Sequence, residues 1–478
     1  MPRVTAHPHD SVAPVIRYAL TSPRLSEPTP ASESRWSQLS LQRRLPEMEP
    51  LSVRSSDVHV KVSPPRGRGI RTMHMLSAEP PALLAGFVAL VLGGLIILGA
   101  LKQHLGGDFQ SEVILTRQGL HTGVFPGNFL LYALTALLAG FSTNRFIVDL
   151  SFAAVLAMAI AAKVWVSARY AIAEDAKTSA SHAKGRELVL VVAAASLCAV
   201  AFSLPGTTGV NYYLGQIPAN VWHNGTTILL MPFAVGLFWI SLNYLRTPKT
   251  KYLWWSLPVA AVGIAAKPSF ATCFLAIFPL AALVRYKFTK ETLRAWYLAA
   301  AIGVALALQY VYVYVIDPAG SRDGVSTGVQ LAPFKVWGFF LSSHAVQATS
   351  WPTTSFLPVA VPVAILSSYA FPIVALLLGG RSLRSDRGVQ YALALALVGL
   401  AEYALLAERG TAFADGNYTW AAIVTQYTLF LATITAFVST IRVRGWGVGQ
   451  LVIALVFATN IGAGVFYIIH WFTTKSFL

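Results

Sequence analysis

About eleven apolar stretches, separated by short polar segments, dominate this chain of 478 residues. Two clear examples run from Leu83 to Leu101 and from Ile147 to Val166. An α-helix needs roughly 20 apolar residues to cross the hydrocarbon core of a bilayer, which is about 30 Å thick. Only 12% of the residues are charged and 55% are hydrophobic, whereas about 25% are charged in soluble domains. The pattern therefore predicts an all-α, polytopic transmembrane helical bundle of about 11 to 12 spans.

The net charge of +16 is spread over the short polar loops between these stretches. A nucleic-acid-binding protein gathers its basic residues on one folded face, so this distribution argues against nucleic acid as a partner. The two cysteines, Cys198 and Cys273, each lie inside an apolar stretch with no metal-ligand spacing around them. We therefore expect two buried thiols and neither a disulfide framework nor a zinc site.

The first 75 residues differ in composition from the rest of the chain. Residues 1–75 are rich in Pro, Ser and Arg and show no sustained period, which is typical of a disordered segment. They lack the apolar core of a cleavable signal, so the first span, about 81–101, is expected to remain as an anchor. Arginines between positions 66 and 71 predict a cytoplasmic N-terminus. The tail is either a solvated topology signal or a basic arm that docks on anionic lipid. The expected membrane domain covers residues 76–478.

Basic residues alternate along the membrane domain and predict its orientation. Under the positive-inside rule, four basic clusters mark cytoplasmic loops. These clusters are Arg246, Lys249 and Lys251; Arg285, Lys287, Lys290 and Arg294; Arg381, Arg384 and Arg387; and Arg442 and Arg444. The loops between them then face outward. They contain polar residues that are costly at a membrane edge unless they are used, and such residues are functional candidates. Charge alone thus places the candidate site on the extracytoplasmic face of the membrane.

Two segments do not fit a regular span. The apolar stretch from Phe129 to Phe141 has only about 13 residues. Counting it as a span would turn the basic loop at 168–187 outward, so we expect a short, tilted or re-entrant helix. In the stretch from Pro333 to Ala348, apolar residues recur at helical spacing. Either an interfacial helix on the outer surface or a plain amphipathic linker fits that stretch. Its apolar positions are Phe334, Trp337, Leu341 and Ala345.

The polar loop after the first span contains two acidic residues, Asp108 and Glu112. If a helix begins there, the two carboxylates lie on one face at positions i and i+4. Such a pair can supply a general base or hold a divalent cation. The alternative is a helix N-cap at Asp108 followed by a solvated Glu112. The spacing alone leaves both interpretations open.

A second cluster runs from Tyr213 to Thr226 and gathers amide, imidazole and indole donors just before a span. These groups suit sugar hydroxyls and the oxygens of a lipid phosphate. The candidates for substrate binding are Asn220, Trp222, His223 and Asn224. Trp222 also fits an ordinary interfacial aromatic belt.

Cations and further polar groups occur at two more predicted outer helix ends. Lys267 precedes Pro268 between two short apolar runs, and there it either snorkels to the surface or binds an anion such as a lipid phosphate. Arg409 is a second candidate phosphate ligand, and its alternative is an ion pair with Glu408 or Asp415. Glu408 and Asn417 complete the substrate-binding candidates. Glu402, near the same face, is expected to pair within the bundle.

The order of these elements resembles the bacterial membrane glycosyltransferases of the GT-C type. An N-terminal span is followed by Asp-Phe, Phe-Pro-Gly-Asn-Phe-Leu-Leu-Tyr, Asn-Val-Trp-His-Asn-Gly-Thr, Lys-Pro-Ser-Phe, Glu-Arg-Gly and Gly-Asn-Tyr-Thr-Trp. The resemblance covers about residues 80–475. It implies a helical bundle with an extracytoplasmic active site and a polyprenyl-phosphate or polyprenyl-diphosphate sugar as donor.

The resemblance also implies roles for individual residues. Asp108 would be the base that deprotonates the acceptor hydroxyl, which attacks the anomeric carbon with inversion. Lys267, Arg409 and His223 would stabilise the departing phosphate. The chain lacks an Asp-x-Asp pair and a large soluble C-terminal domain. Because of these departures, the requirement for a divalent cation as cofactor stays open. They also favour a glycan or glycolipid over a protein as the acceptor.

Three functions fit these observations. The first is a glycosyltransferase that adds one sugar to a surface glycan or lipid. The second is a polysaccharide polymerase that joins lipid-linked repeat units on the outer face. The third is a transporter of lipid-linked glycans, for which internal repeats and polar residues at the bilayer midplane are expected. The sequence shows no convincing repeat.

Overall fold

The membrane domain folds into a bundle of helices. A computed structural model describes residues 79–105, 107–178, 185–204, 215–316, 328–342, 353–409 and 416–475. The expected tail, residues 1–75, lies outside these ranges. The helices in the described part are α1 Glu79–Lys102, α2 Asp108–Thr122, α3 Phe129–Leu138, α4 Arg145–Thr178, α5 Arg186–Leu197, α6 Gly225–Arg246, α7 Thr250–Ala266, α8 Ser269–Tyr286, α9 Lys290–Tyr310, α10 Lys335–Ser342, α11 Thr353–Ser368, α12 Ala370–Leu378, α13 Gly380–Arg384, α14 Arg387–Leu405, α15 Thr419–Arg444 and α16 Val448–Thr474.

Eight of the described helices are long and apolar enough to cross a membrane, namely α1, α4, α6, α8, α9, α14, α15 and α16. A ninth span is counted if α11 and α12, which meet at a 72° bend, form one broken helix. The chain thus has the architecture of a multi-pass, all-α membrane protein. The expected count of 11 to 12 spans is not confirmed, because α5 has only 12 residues and α7 only 17.

The helices α3 and α4 differ sharply in length. With 10 residues, α3 covers only about 15 Å, half of the hydrocarbon core. A short helix was the expectation for this segment. In contrast, α4 has 34 residues and continues to Thr178. The loop expected at 168–187 is therefore wrong for its first part, since Ala, Arg, Glu and Lys in that stretch are good helix formers.

The central helix of the bundle is α15, which is enclosed along almost its entire length. Two of its buried threonines donate hydrogen bonds within the helix. The Thr425 hydroxyl donates to the carbonyl of Ala421 at 2.7 Å, and the Thr435 hydroxyl donates to the carbonyl of Leu431 at 2.8 Å. Polar side chains can therefore lie in the apolar core without unpaired hydroxyl donors at these positions.

The end of the bundle that holds the basic turns, here called the basic end, is fastened by ion pairs. Glu174 near the end of α4 accepts from Arg246 of α6 at 2.6 Å with both carboxylate oxygens. Its neighbour Asp175 accepts from Arg442 of α15. Arg442 also donates to Glu187 at 2.6 Å. These pairs connect α4, α6, α15 and the start of α5.

A small polar cap covers part of the opposite end of the bundle. A π-helical turn, Val311–Ile316, continues α9. Two strands, β1 Val329–Leu331 and β2 Leu406–Glu408, pair antiparallel with Val329 opposite Glu408. These strands were not predicted.

The short helix α10 packs on this cap. Its buried side chains are Val336, Trp337 and Phe340, and the Trp337 indole donates to the carbonyl of Gly215 at 2.9 Å. Phe334, one of the expected apolar positions, precedes the helix and is 40% exposed. The stretch 343–348 lies outside the described residues.

Candidate functional site

The candidate site is built around the N-terminus of α6, at the end of the bundle opposite the basic end. Asn224 is the N-cap of this helix, and its side-chain oxygen accepts from the backbone nitrogen of Thr227 at 2.9 Å. The Thr226 hydroxyl donates to the same oxygen at 3.0 Å. An Asn at this position satisfies a backbone donor that has no partner within the helix. The cap also fixes the direction in which the Asn224 amide nitrogen points.

Asp108 lies directly against this cap. It is the first residue of α2, and its backbone nitrogen donates to the carbonyl of His223 at 3.1 Å. Its carboxylate accepts from the Asn224 amide nitrogen at 2.5 Å. The N-cap interpretation of Asp108 is wrong, because Gly107 holds the N-cap position and the Asp108 carboxylate faces α6. Asp108 is only partly buried, so its carboxylate is accessible to a ligand.

Glu112 lies one turn further along α2 and is buried. Its two carboxylate oxygens accept from the backbone nitrogens of Gly225 at 3.0 Å and Thr226 at 3.2 Å. The alternative of a solvated Glu112 is therefore wrong. The positive end of the α6 dipole favours a carboxylate here, but burial and the nearby Asp108 raise the pKa of Glu112 above its usual range. The geometry gives Glu112 a role in holding α2 on α6.

Lys267 lies between α7 and α8, where the chain breaks at Pro268 as the sequence predicted. Its side chain is buried and points into the bundle, so the snorkelling interpretation is wrong. The ammonium donates to Asn224 at 3.2 Å and to the Thr226 hydroxyl at 3.3 Å, and it lies 4.1 Å from the centre of the Trp420 ring. Burial lowers the pKa of Lys267, and the acids Asp108, Glu112 and Glu408 oppose that shift.

His223 is enclosed between α6 and α16. Its Nδ1 lies 2.8 Å from the hydroxyl of Tyr467. Burial and the Lys267 charge lower the pKa of His223 to about 3. The imidazole is therefore neutral at neutral pH. It does not supply the positive charge that the resemblance implied.

Glu408 and Asn417 form a second polar pair, and the Glu408 charge acts on Lys267. The Glu408 carboxylate accepts from the Tyr314 hydroxyl at 2.5 Å and from the Asn417 amide at 2.7 Å. Glu408 is buried, while Arg409 is exposed and its backbone nitrogen donates to the carbonyl of Gly328 at 3.0 Å. Asp415, the other acid considered as a partner for Arg409, lies outside the described residues. Glu408 is thus a buried, hydrogen-bonded acid, whereas Arg409 is exposed.

Asn220 and Trp222 lie apart from this cluster. The Asn220 amide donates to the carbonyls of Cys198 at 2.7 Å and Ala201 at 2.6 Å, and its oxygen accepts from Lys163 at 2.6 Å. Trp222 is buried, and its indole nitrogen has no hydrogen-bond partner among the described residues. Both residues thus face the interior, and among the described residues no hydrogen bond joins either of them to Asp108 or Lys267.

Several residues of the site were not predicted as functional. Thr226 and Trp420 hold Lys267, Tyr467 contacts His223, and Lys163 holds Asn220. Lys163 carried a signal, because a lysine inside an apolar stretch is costly unless it is paired.

Across the described ranges, no three His, Cys, Asp or Glu side chains are grouped to hold a metal ion. Both cysteines are unpaired thiols and buried, as expected. Glu402 accepts from Thr272 at 2.8 Å inside the bundle, also as expected.

No protein-family model and no curated protein sequence matches this chain. The class that the fold defines is therefore a multi-pass helical membrane protein with a buried polar site at one end of the bundle. The chemistry of that site has to be inferred from its own residues.

Proposed function

We propose that the protein is a membrane glycosyltransferase that moves a sugar from a polyprenyl-phosphate or polyprenyl-diphosphate donor to a glycan or lipid acceptor. One observation carries the proposal. The Asn224 side chain lies between Asp108 and Lys267, with its amide nitrogen on the carboxylate and its oxygen on the ammonium. An acid and a cation are thus held close together without a direct ion pair, so each can act on a different part of one substrate.

Asp108 is the general base in this proposal. It accepts the proton of the acceptor hydroxyl as that oxygen forms a bond to the anomeric carbon of the donor sugar. The bond between that carbon and the phosphate oxygen breaks, and the lipid phosphate leaves with the electron pair. General-base catalysis of this kind contributes about 10²- to 10⁴-fold to a rate. The Asn224 amide and the backbone position at the start of α2 orient the carboxylate.

Lys267 stabilises the negative charge that develops on the leaving phosphate. A buried cation acts strongly here because little water screens it. The neutral His223 and the amides of Asn224 and Asn417 are suited to sugar hydroxyls. Arg409 is exposed, so its guanidinium can contact the second phosphate of a diphosphate donor.

An apolar groove beside the site supports a lipid-linked donor. The groove has a volume of about 590 Å³ and lies between α3, α4, α6 and α7. Its lining includes Leu134, Trp165, Leu229 and Phe233. Leu229 is one helical turn from Gly225, so a hydrocarbon chain in the groove would extend into the membrane from near the cluster. The size is that of pockets which bind organic ligands.

The expected orientation places this end of the bundle on the extracytoplasmic face. The basic turns at the opposite end support that assignment under the positive-inside rule. In a bacterium the acceptor is then a glycan or glycolipid of the cell envelope.

The substitution Asp108→Asn tests the proposal, since it removes the base and retains the shape of the side chain. We expect transfer to fall by about 10²-fold or more with the protein still folded and inserted. The matched control is Asp149→Asn, which changes a carboxylate near Arg145, outside the cluster, and should leave transfer unchanged.

Mass spectrometry of lipid-linked and surface glycans from the two strains gives the result. A glycan short by one sugar in the Asp108→Asn strain supports a single-sugar transferase. Complete single repeat units without long chains support the polymerase instead. Unchanged glycans in that strain contradict the catalytic role of Asp108.

A further inference from the structure

A small cavity is lined by residues of α4, α6 and α15 and of the turn that precedes α6. Its lining residues are Ile160, Lys163, Val221, Trp222, Thr227, Ile228, Met231 and Ile423. The cavity has room for about one particle of the size of a water molecule. Most of the lining is aliphatic, and the three polar residues are Lys163, Trp222 and Thr227. A polar ligand in this cavity therefore has to bind to these three side chains.

Lys163 brings a cation into this apolar region. Its side chain is buried, its ammonium donates to the Asn220 oxygen at 2.6 Å, and it lies 4.6 Å from the centre of the Tyr427 ring. A carbonyl oxygen and an aromatic face both stabilise the charged form of a lysine. No carboxylate forms an ion pair with Lys163 among the residues that the structure describes. A buried charge is costly unless a counterion neutralises it.

The other two polar groups differ from Lys163, because neither has a hydrogen-bond partner among the described residues. The Trp222 indole nitrogen and the Thr227 hydroxyl are both buried and make no hydrogen bond within the described part of the chain. Buried polar groups without partners are rare in folded proteins. Both belong to residues that line the same cavity as Lys163.

The three groups differ in what they can offer to a ligand. An ammonium and an indole N–H only donate, and the threonine hydroxyl can donate as well. A water molecule would also have two hydrogen bonds of its own to donate. Among the three side chains, only the Thr227 hydroxyl can accept one. An anion accepts from all three donors and also neutralises Lys163.

We propose that this cavity binds one small monatomic anion of the size of chloride. The anion accepts from the Lys163 ammonium, the Trp222 indole and the Thr227 hydroxyl. The size of the cavity excludes sulfate and phosphate. The site does not depend on the proposed glycosyltransferase activity.

The position of the anion gives it a structural role beside the candidate site. Trp222 precedes His223 and Asn224, and Thr227 follows Thr226, whose hydroxyl holds Lys267. The Thr227 backbone nitrogen also donates to Asn224. An anion that joins Trp222 and Thr227 to Lys163 of α4 therefore fixes the segment that carries the site.

The test is the thermal unfolding of the full-length protein in detergent, with chloride replaced by gluconate at constant ionic strength. We expect a saturable rise of the midpoint temperature as chloride is added, because a ligand that binds only the folded state stabilises it. Bromide should act at higher concentration than chloride, and iodide, which is too large, should have little effect. Equilibrium dialysis with radioactive chloride should show one bound ion per chain.

Substitutions of the three polar residues localise the effect. Lys163→Met should abolish it, and Trp222→Phe and Thr227→Val should each raise the half-saturating chloride concentration by about tenfold, since each removes one hydrogen bond to a charge. The matched control is Trp239→Phe, which removes another buried indole nitrogen without a partner but lies outside the cavity. That variant should respond to chloride like the unmodified protein.

Three results would overturn the proposal. The first is a midpoint temperature that does not depend on halide. The second is an equal response in all variants, and the third is a larger effect of iodide than of chloride, which indicates a general salt effect. If Lys163→Met does not fold, Trp222→Phe and Thr227→Val decide the question, because Thr227→Val preserves the shape of the side chain and Trp239→Phe controls for the smaller ring of Trp222→Phe.

Discussion

The carboxylate of Glu112 lies 3.0 Å from the backbone nitrogen of Gly225 and accepts its hydrogen bond. The first turn of α6 is therefore held by an acid from another helix, α2, in addition to its own N-cap. The contact requires a residue without a side chain at position 225. A Cβ there would lie 2.5 Å from the Glu112 carboxylate and 2.9 Å from Leu131.

Gly225→Ala is thus expected to destabilise the protein by about 1–3 kcal/mol, the usual effect of overpacking a buried site. Alanine has the higher helix propensity, so any loss of stability reports the steric clash. Gly462→Ala is the matched control, because a Cβ at that glycine of α16 meets nothing within 4 Å. Thermal unfolding in detergent measures both variants. Equal midpoint temperatures for the two would contradict the close packing of Glu112 on α6.

The pH dependence of stability should report the environment of Glu112. Burial raises the pKa of Glu112 in the folded protein above its usual value of 4.5. Between 4.5 and the raised pKa, the folded state binds more protons than the unfolded state. Stability therefore falls as the pH rises through this interval, by up to about 1.4 kcal/mol per pH unit.

Glu112→Gln removes this group and should flatten that part of the profile. His223 acts in the opposite direction, because its pKa is lowered from 6.5 to about 3 and its contribution is lost as the pH falls below 6.5. The difference between the two profiles, measured by chemical unfolding in detergent from pH 4.5 to 8, isolates Glu112. Parallel profiles for the two proteins would show that the Glu112 pKa is not raised.

The Asn224 side chain combines two roles that one substitution can separate. Serine is as good an N-cap as asparagine, but it is too short to contact both Asp108 and Lys267. The N-cap is therefore retained in Asn224→Ser, and the free energy of unfolding should fall by about 1–3 kcal/mol because hydrogen bonds to two charged groups are lost. We expect transfer to fall by about 10²-fold, the effect of a misplaced catalytic group.

The control for this variant is Asn144→Ser at the start of α4. The Asn144 side chain accepts from the backbone nitrogen of Phe146 at 2.9 Å, and it lies outside the site. Normal transfer by Asn224→Ser would show that the arrangement of Asp108 and Lys267 does not depend on Asn224.

The sequence predicted those features that depend on local composition. The length of the apolar stretches indicated a helical membrane protein, and Pro268 indicated the break after Lys267. The polar segments around Asp108, Asn224 and Glu408 were expected at one end of the bundle because basic residues mark the other. The contacts of Asp108 and Lys267 with Asn224 agree with that expectation.

The features that were missed depend on tertiary contacts. Glu112 is buried because its partners are backbone nitrogens of a helix more than 110 residues away. Nothing in the local spacing distinguishes it from a solvated acid. Asn220 and Asn224 are of one residue type and four positions apart, but one faces Lys163 and the other faces Asp108. The direction of each amide is set by the turn that precedes α6.

The orientation of the bundle can be tested with cysteine labelling, because Cys198 and Cys273 are both buried. Thr143→Cys introduces an exposed thiol at the end that holds the site, and Ser385→Cys introduces one at the basic end. In intact cells a membrane-impermeant maleimide should label Thr143→Cys, whereas Ser385→Cys should react only after permeabilisation. The unmodified protein is the control for background. The reverse pattern would place Asp108 on the cytoplasmic face, where nucleotide sugars are the available donors, and would contradict the proposed lipid-linked donor.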